Sequence, residues 1–306
     1  MVQIVLAEPR GFCAGVERAI DILEAALDKY EPPIYVKHEI VHNHHVVQGF
    51  QERGVIFVED LSCIPSNSVI IFSAHGVSKK VEEQAKQLNL ITIDATCPLV
   101  QKVHKKAQKS AKNGSKMILI GHKNHPEVEG TMGRVESDMI LVESAKDAEQ
   151  LVIEDDCEIN YMTQTTLSID DTREIIDIIK KKFPRASGPD LLDICYATHN
   201  RQKAVKELAK VSDTIIVIGS ANSSNSNRLR AIAEKSGINS YLVDDCTKIN
   251  LSWFHETKVI GITAGASAPE LLVQATIDFL AAHLPISAIN TLKTVDESVK
   301  FKLPKI

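Results

Sequence analysis

The sequence predicts an α/β fold of three similar units, each a mostly parallel sheet flanked by helices. Two observations carry this expectation. Short β-branched apolar runs alternate with amphipathic stretches along the whole chain. Three cysteines also recur between such a run and a helix-like segment, and from each of them a further apolar run ends 23 residues on, at Val36, Ile120 and Ile218. Recurrence at a fixed spacing marks a repeated supersecondary unit, here of about 95 residues.

Taken in order, the runs at 2–6, 34–36, 55–58, 69–72 and 91–93 read as strands, with helices at 15–28 and 81–88. The middle of the chain offers strands at 117–120, 139–142, 159–162 and 191–194, with helices at 100–111 and 172–182. Strands at 215–218, 240–243 and 259–262 and helices at 202–210 and 270–282 complete the last third. Continuous apolar runs suit strands covered on both faces, which is the condition of a parallel sheet.

The recurrent cysteines are Cys13, Cys97 and Cys195. Because Cys13 is reached from the N-terminal run, residues 1–13 group with the last third. The expected units are therefore 14–96, 97–193 and 194–281 plus 1–13, with 282–306 a tail that carries no motif. Each unit also presents two polar loops, around His42 and His75, around His125 and Thr165, and around Ser223 and Ser267. Ligands of open α/β sheets bind outside the carboxyl ends of the strands. Three such crevices facing one centre would gather three thiols and six polar loops.

Composition narrows the function. Lys and Arg number 35 against 40 Asp and Glu, a formal charge of −5, and aromatic residues make up 5%, which argues against nucleic acid as a partner. No apolar run approaches the roughly 20 residues that span a bilayer, and the N-terminus lacks a basic stretch followed by an apolar one. The chain thus reads as cytoplasmic, with no membrane partner, and its six cysteines as thiols, ligands or catalysts rather than disulfides.

Three convergent thiolates are soft ligands suited to an iron-sulfur cluster or to zinc. Close Cys-x-x-Cys pairs are absent, and a four-iron cluster with three cysteines would keep one iron open. Cys63, Cys157 and Cys246 lie outside the recurrent positions and read as core thiols. Of eleven histidines, His42, His44, His45, His75, His122 and His125 fall at loop tips, in company with Thr165, Thr166, Ser223, Ser224, Asn225 and Ser267. Uncharged donors at helix N-termini suit an anion. Ser267-Ala-Pro-Glu270 reads equally as a capping box, and Ser168 as a plain helix cap. Glu127, in the loop after 117–120, is the candidate proton donor. These residues describe a metal-dependent, redox-type enzyme acting on a small anion. A zinc hydrolase using His42, His125 and Glu127, or a non-catalytic phosphate-ligand or RNA-associated module, stays open at this point.

Seven motifs in order carry a resemblance. They are Gly11-Phe-Cys13-Ala-Gly15, Ser73-Ala-His75-Gly-Val, Asp94-Ala-Thr-Cys97-Pro98, Gly121-His-Lys-Asn-His125-Pro-Glu127-Val, Thr163-Gln-Thr165-Thr166-Leu-Ser, Asn222-Ser-Ser-Asn-Ser-Asn227-Arg and Thr263-Ala-Gly-Ala-Ser267. From residue 2 to residue 282 the chain resembles the 4-hydroxy-3-methylbut-2-enyl diphosphate reductases of the LytB/IspH family. The resemblance implies three α/β units with pseudo-threefold symmetry around a central 4Fe-4S cluster, held through three irons by Cys13, Cys97 and Cys195, with the fourth iron open. It implies Glu127 as proton donor with Thr165 beside it, and His42, His75, His125, Thr165, Ser223, Ser224, Asn225 and Ser267 as contacts to an allylic diphosphate. The implied reaction is a two-electron reductive dehydroxylation, the last step of the non-mevalonate isoprenoid pathway, supplied by ferredoxin or flavodoxin.

Overall fold

The structure, a computed structural model, describes residues 1–153, 158–189, 191, 193–304 and 306. In chain order its elements begin with β1 (Val2–Glu8), α1 (Ala14–Lys29), β2 (Ile34–Lys37), α2 (His44–Gln51), β3 (Val55–Val58), β4 (Val69–Phe72), α3 (Lys79–Gln87) and β5 (Ile91–Asp94). The second stretch comprises α4 (Pro98–Lys112), β6 (Lys116–Ile120), α5 (Pro126–Met132), β7 (Met139–Val142), α6 (Ala145–Gln150), β8 (Ile159–Thr163) and α7 (Ile169–Lys182). The last comprises α8 (Tyr196–Ala209), β9 (Thr214–Ile218), α9 (Ser224–Lys235), β10 (Asn239–Val243), β11 (Val259–Ala264), α10 (Glu270–His283) and β12 (Ile286–Lys293). The strands form three sheets, and every pairing in them is parallel.

The chain divides into two compact units. The first comprises Met1–Glu17, His42–Gly49 and Tyr196–Lys300. Its sheet has the order β10-β9-β11-β1-β12. β9 explains why its sequence is apolar without alternation. Ile216 and Ile218 pack with Ile260, Ile262 and the α10 residues Val273 and Leu280 on one face, while Ile215 and Val217 pack with Val205, Leu208, Leu229 and Ile232 of α8 and α9 on the other. Each such side chain removed from water contributes roughly 1.5–3 kcal/mol. The N-terminal strand lies inside this sheet, with Leu6 opposite Ile262.

The second unit comprises Arg18–Val41, Phe50–Cys195 and Phe301–Ile306, and holds the sheets β3-β2-β4-β5 and β7-β6-β8. β6 repeats the two-sided pattern. Ile118 and Ile120 face α6 and α7 through Ala148, Ile175 and Ile179, and Met117 and Leu119 face α4 and α5 through Val103, Ala107 and Val128. In the other sheet Ile70 and Phe72 pack with Ala85 of α3.

Four features depart from the sequence reading. The run at 191–194 is turn and bend rather than strand, with Leu192 outside the described residues. Ile194 is buried and Leu191 packs beside it, so the run's apolarity is met by the core beneath it instead of by a sheet. The tail beyond residue 285, in which the sequence shows no motif, supplies β12, which pairs along β1 from Val2–Ile286 to Glu8–Lys293. Its edge position leaves most of its residues exposed, so its sequence shows no apolar run. Helices α2, α5 and α9 begin inside expected loops, and α6 falls in a stretch given no element; α5 and α6 are too short to display a helical period. Of the three expected core thiols, Cys63 is exposed and Cys246 is half-buried against the first unit's core, whereas Cys157 lies outside the described residues.

Candidate functional site

In the first unit the loops leaving β1, β9 and β11 are stitched together at the carboxyl ends of those strands. Gly265 N–H donates to Ile218 O at 2.9 Å, Gly11 N–H to Ala264 O at 3.2 Å, and Cys13 N–H to Ala266 O at 3.1 Å. The approach is close enough to demand glycine, because a Cβ on Gly219 or Gly265 would overlap the Ser226 hydroxyl. Ser223 caps α9, accepting the Ser226 N–H at 3.3 Å and the Ser226 hydroxyl at 3.0 Å, so its own proton is left to another acceptor. Asn225, in the first turn of α9 and 4% exposed, has neither amide atom hydrogen-bonded. Buried amides are normally satisfied, so this pair marks a place for a polar ligand.

Ser267 departs from the capping-box reading. The N-cap of α10 is Pro269, without a side-chain bond, and Ser267 Oγ donates instead to His42 O at 2.8 Å. His44 and His45 open α2 rather than a loop tip. The His44 N–H donates to Ser220 Oγ at 3.0 Å, and the His45 ring lies 3.0 Å from Asp245 Oδ2. Ser168 caps α7 as expected.

The second unit gathers His75, His125, Glu127 and Thr165. Glu127 lies in the first turn of α5, where Pro126 opens the helix and His125 caps it. The Glu127 N–H donates to His125 Nδ1 at 3.1 Å, which leaves the proton of the neutral ring on Nε2. The His75 and His125 rings meet edge to face with centroids 5.9 Å apart, and His75 Nδ1 lies 3.1 Å from Ser73 Oγ.

Glu127 is buried, 3% exposed. Thr165 donates its N–H to Oε1 at 2.6 Å and its hydroxyl to Oε2 at 2.9 Å. Burial raises its pKa to about 7, against the lowering effect of the two Thr165 bonds and with a further push from the charge of Asp193. Asp193 itself is held by Lys106 at 3.2 Å and by the Thr163 N–H at 3.3 Å.

The three recurrent cysteines are half-buried, and each stands at a helix N-terminus: Cys13 before α1, Cys97 as the cap of α4 and Cys195 before α8. Helix N-termini favour thiolates. Cys97 N–H donates to Ala74 O and Cys195 N–H to Thr165 O, both at 3.0 Å, so their backbones are tied to the residues beside His75 and Glu127. Cys195 follows a turn, whereas Cys13 and Cys97 follow β1 and β5. Among the described residues no three His, Cys, Asp or Glu could hold a single metal ion. A cluster that takes one thiolate per iron needs no such convergence, and three soft donors at positive helix ends fit it chemically.

Sequence reasoning missed Ser73, Ser220, Ser226 and Gln164, whose Oε1 accepts the His122 N–H at 3.0 Å. Ser73, Gln164 and Ser226 sit within the quoted motifs and could have been found, whereas Ser220 acts through a pairing distant in sequence.

The chain resembles known proteins along its whole length. The sequence profile described as LytB protein matches residues 4–281. A 4-hydroxy-3-methylbut-2-enyl diphosphate reductase of Histophilus somni is 52% identical over 99% of this chain and 98% of its own, and one of Wolbachia pipientis is 51% identical over the full length of both. Among solved structures, the E-1-hydroxy-2-methyl-but-2-enyl-4-diphosphate reductase of Plasmodium falciparum superposes with a TM-score of 0.96 at 39% identity, covering 99% of this chain and 96% of that one. A profile match spanning nearly the whole sequence, and relatives at half identity from end to end, make this chain a member of the LytB protein family.

Proposed function

We propose that the chain reduces 4-hydroxy-3-methylbut-2-enyl diphosphate to isopentenyl and dimethylallyl diphosphate, the last step of the non-mevalonate isoprenoid pathway. Two electrons and two protons are consumed and the allylic hydroxyl leaves as water. Family membership and the names of its full-length relatives support this activity over a zinc hydrolase or a phosphate- or RNA-binding module.

Cys13, Cys97 and Cys195 would hold one 4Fe-4S cluster, one thiolate to each of three irons. That cluster would supply the electrons and Lewis acidity toward the leaving hydroxyl. The protein's part is to bind, orient and protonate. Hydroxide leaves poorly, so a proton must reach the departing oxygen. With its pKa near 7, Glu127 retains its proton at neutral pH to an extent that an ordinary carboxyl does not. Thr165 fixes both carboxyl oxygens and can relay the proton, since its hydroxyl accepts from a protonated Oε2 while turning its own hydrogen outward.

His42, His75, His125, Thr165, Ser223, Ser224, Asn225 and Ser267 are assigned to the substrate, mostly to its diphosphate. Neutral hydroxyl, amide and imidazole donors anchor this end of the molecule, so that binding energy far from the reacting carbon holds the C–O bond in place. The electrons are assigned to a ferredoxin or flavodoxin, and the site of action to the cytoplasm. No described helix is long and apolar enough to cross a membrane.

The Glu127–Thr165 pair carries this reading. In Glu127→Gln, anaerobically purified protein should keep its iron and bind substrate, while turnover falls by about 10²- to 10⁴-fold. Turnover equal to wild type would remove Glu127 from the proton path.

A further inference from the structure

Arg201, on α8, is charged yet fully buried, and the site described above makes no use of it. All five of its N–H groups are engaged within the first unit. Nε and Nη2 donate to Gly11 O at 3.0 and 2.7 Å, Nη2 also donates to Phe12 O at 3.0 Å, and Nη1 donates to Ala197 O at 3.1 Å and to the Glu297 carboxylate at 3.1 Å. Gly11 and Phe12 immediately precede Cys13. A buried guanidinium persists only when its charge is matched and its donors are satisfied.

The matching charge comes from the tail beyond β12, which the sequence left without a role. Glu297 also accepts from Asn200 Nδ2 at 2.9 Å, and Thr294 ties the same stretch to the end of β1, its N–H and hydroxyl both donating to Glu8 O at 2.9 Å. Gly11 adopts φ +67°, the left-handed region, while its N–H is held by Ala264 O, so its carbonyl direction depends on the donors it accepts from.

We propose that Arg201 and Glu297 are positioning residues for Cys13: the guanidinium, neutralised by the tail carboxylate, fixes the Gly11 and Phe12 carbonyls and with them the thiol that follows. The inference rests on the reading of Cys13 as a cluster ligand. Lysine cannot replace the planar fork, which here donates to three carbonyl groups and a carboxylate at once.

The test uses full-length wild-type protein, Glu297→Gln, Arg201→Lys and the double variant Arg201→Met/Glu297→Gln, which leaves no buried charge unmatched. Anaerobic holoprotein should release iron to a ferrous chelator roughly 10- to 100-fold faster in the variants, the usual effect of removing a partner that orients a metal ligand. In metal-free protein, alkylation of Cys13 by iodoacetamide is compared with that of Cys97 in the same molecules by peptide mass spectrometry. The Cys13-to-Cys97 rate ratio should rise by roughly 10-fold, the lower end of that range. General loosening of the fold raises both rates together, and an unchanged ratio overturns the proposal. Wild-type protein that holds no iron-sulfur cluster would overturn the functional reading instead, and the ratio would then still decide whether the clamp orients Cys13.

Discussion

The Glu127 pKa is raised because the fold withholds water from the carboxyl while Thr165 supplies only two hydrogen bonds, too few to offset its burial. Its pKa is raised from 4.5 to about 7 in the folded chain, so between those values the folded state binds more protons than the unfolded one. The stability this group contributes is complete below about pH 4.5 and is lost as pH rises through about 7. Melting temperatures of wild type and Glu127→Gln, measured at pH 5.5 and pH 8, should therefore diverge, with wild type losing more on the alkaline side. Parallel melting curves would mean that the carboxyl is not held protonated. Activity should follow the same titration, with kcat/KM falling as pH rises through about 7 because the proton donor empties. The identity of Glu127 was legible in the sequence from its motif, but its acidity was not. That depends first on burial, which only folding imposes, and to a smaller extent on Asp193, while the Thr165 bonds oppose it.

At the scale of elements, four of the residues assigned to the substrate, His125, Ser223, Ser224 and Asn225, sit at the N-termini of α5 and α9, in stretches that the sequence reading had placed in loops. In α9 the residues Ser224-Asn-Ser-Asn-Arg are too polar to advertise a helix, and the helix exists because Leu229, Ile232 and Ala233 reach the core of the sheet. Its first turn approaches the β11 loop so closely that Ser226 fills the space above Gly219 and Gly265. Gly265→Ala should cost about 1–3 kcal/mol of stability, as overpacking of a tight interior does, and should displace Asn225 with it. Adding Ser226→Ala removes the overlapping hydroxyl and should restore part of the loss. Chemical denaturation of the single and double variants measures both. A neutral Gly265→Ala would show that the approach of helix to loop is looser than this packing requires. Strands were easier to read than helices here, because a parallel strand buried on both faces announces itself by continuous apolarity. The run at 191–194 shows the limit of that signal, since the same apolarity also serves a turn lying on a core.

For the whole molecule, recurrence was the informative signal. The spacing of Cys13, Cys97 and Cys195 anticipated three parallel sheets, and the parallel pairing of β1 with β11 joins the first residues of the chain to some of its last. What the spacing could not reveal was β12 and the stretch behind it. An exposed edge strand has no apolar pattern, and a single carboxylate such as Glu297 has meaning only beside the buried Arg201 it neutralises. The mild acidity of the chain likewise says nothing of the proposed anion site, which is assigned to local hydroxyl, amide and imidazole groups. These features converge on reductive loss of a hydroxyl group from an allylic diphosphate, and the most direct measurement is a single reaction. Protein purified without oxygen, analysed for iron and sulfide and then reduced, is given 4-hydroxy-3-methylbut-2-enyl diphosphate. The account predicts a brown iron-sulfur protein that yields isopentenyl and dimethylallyl diphosphates. A protein without iron, or a reduced protein that leaves the substrate unchanged, would contradict it.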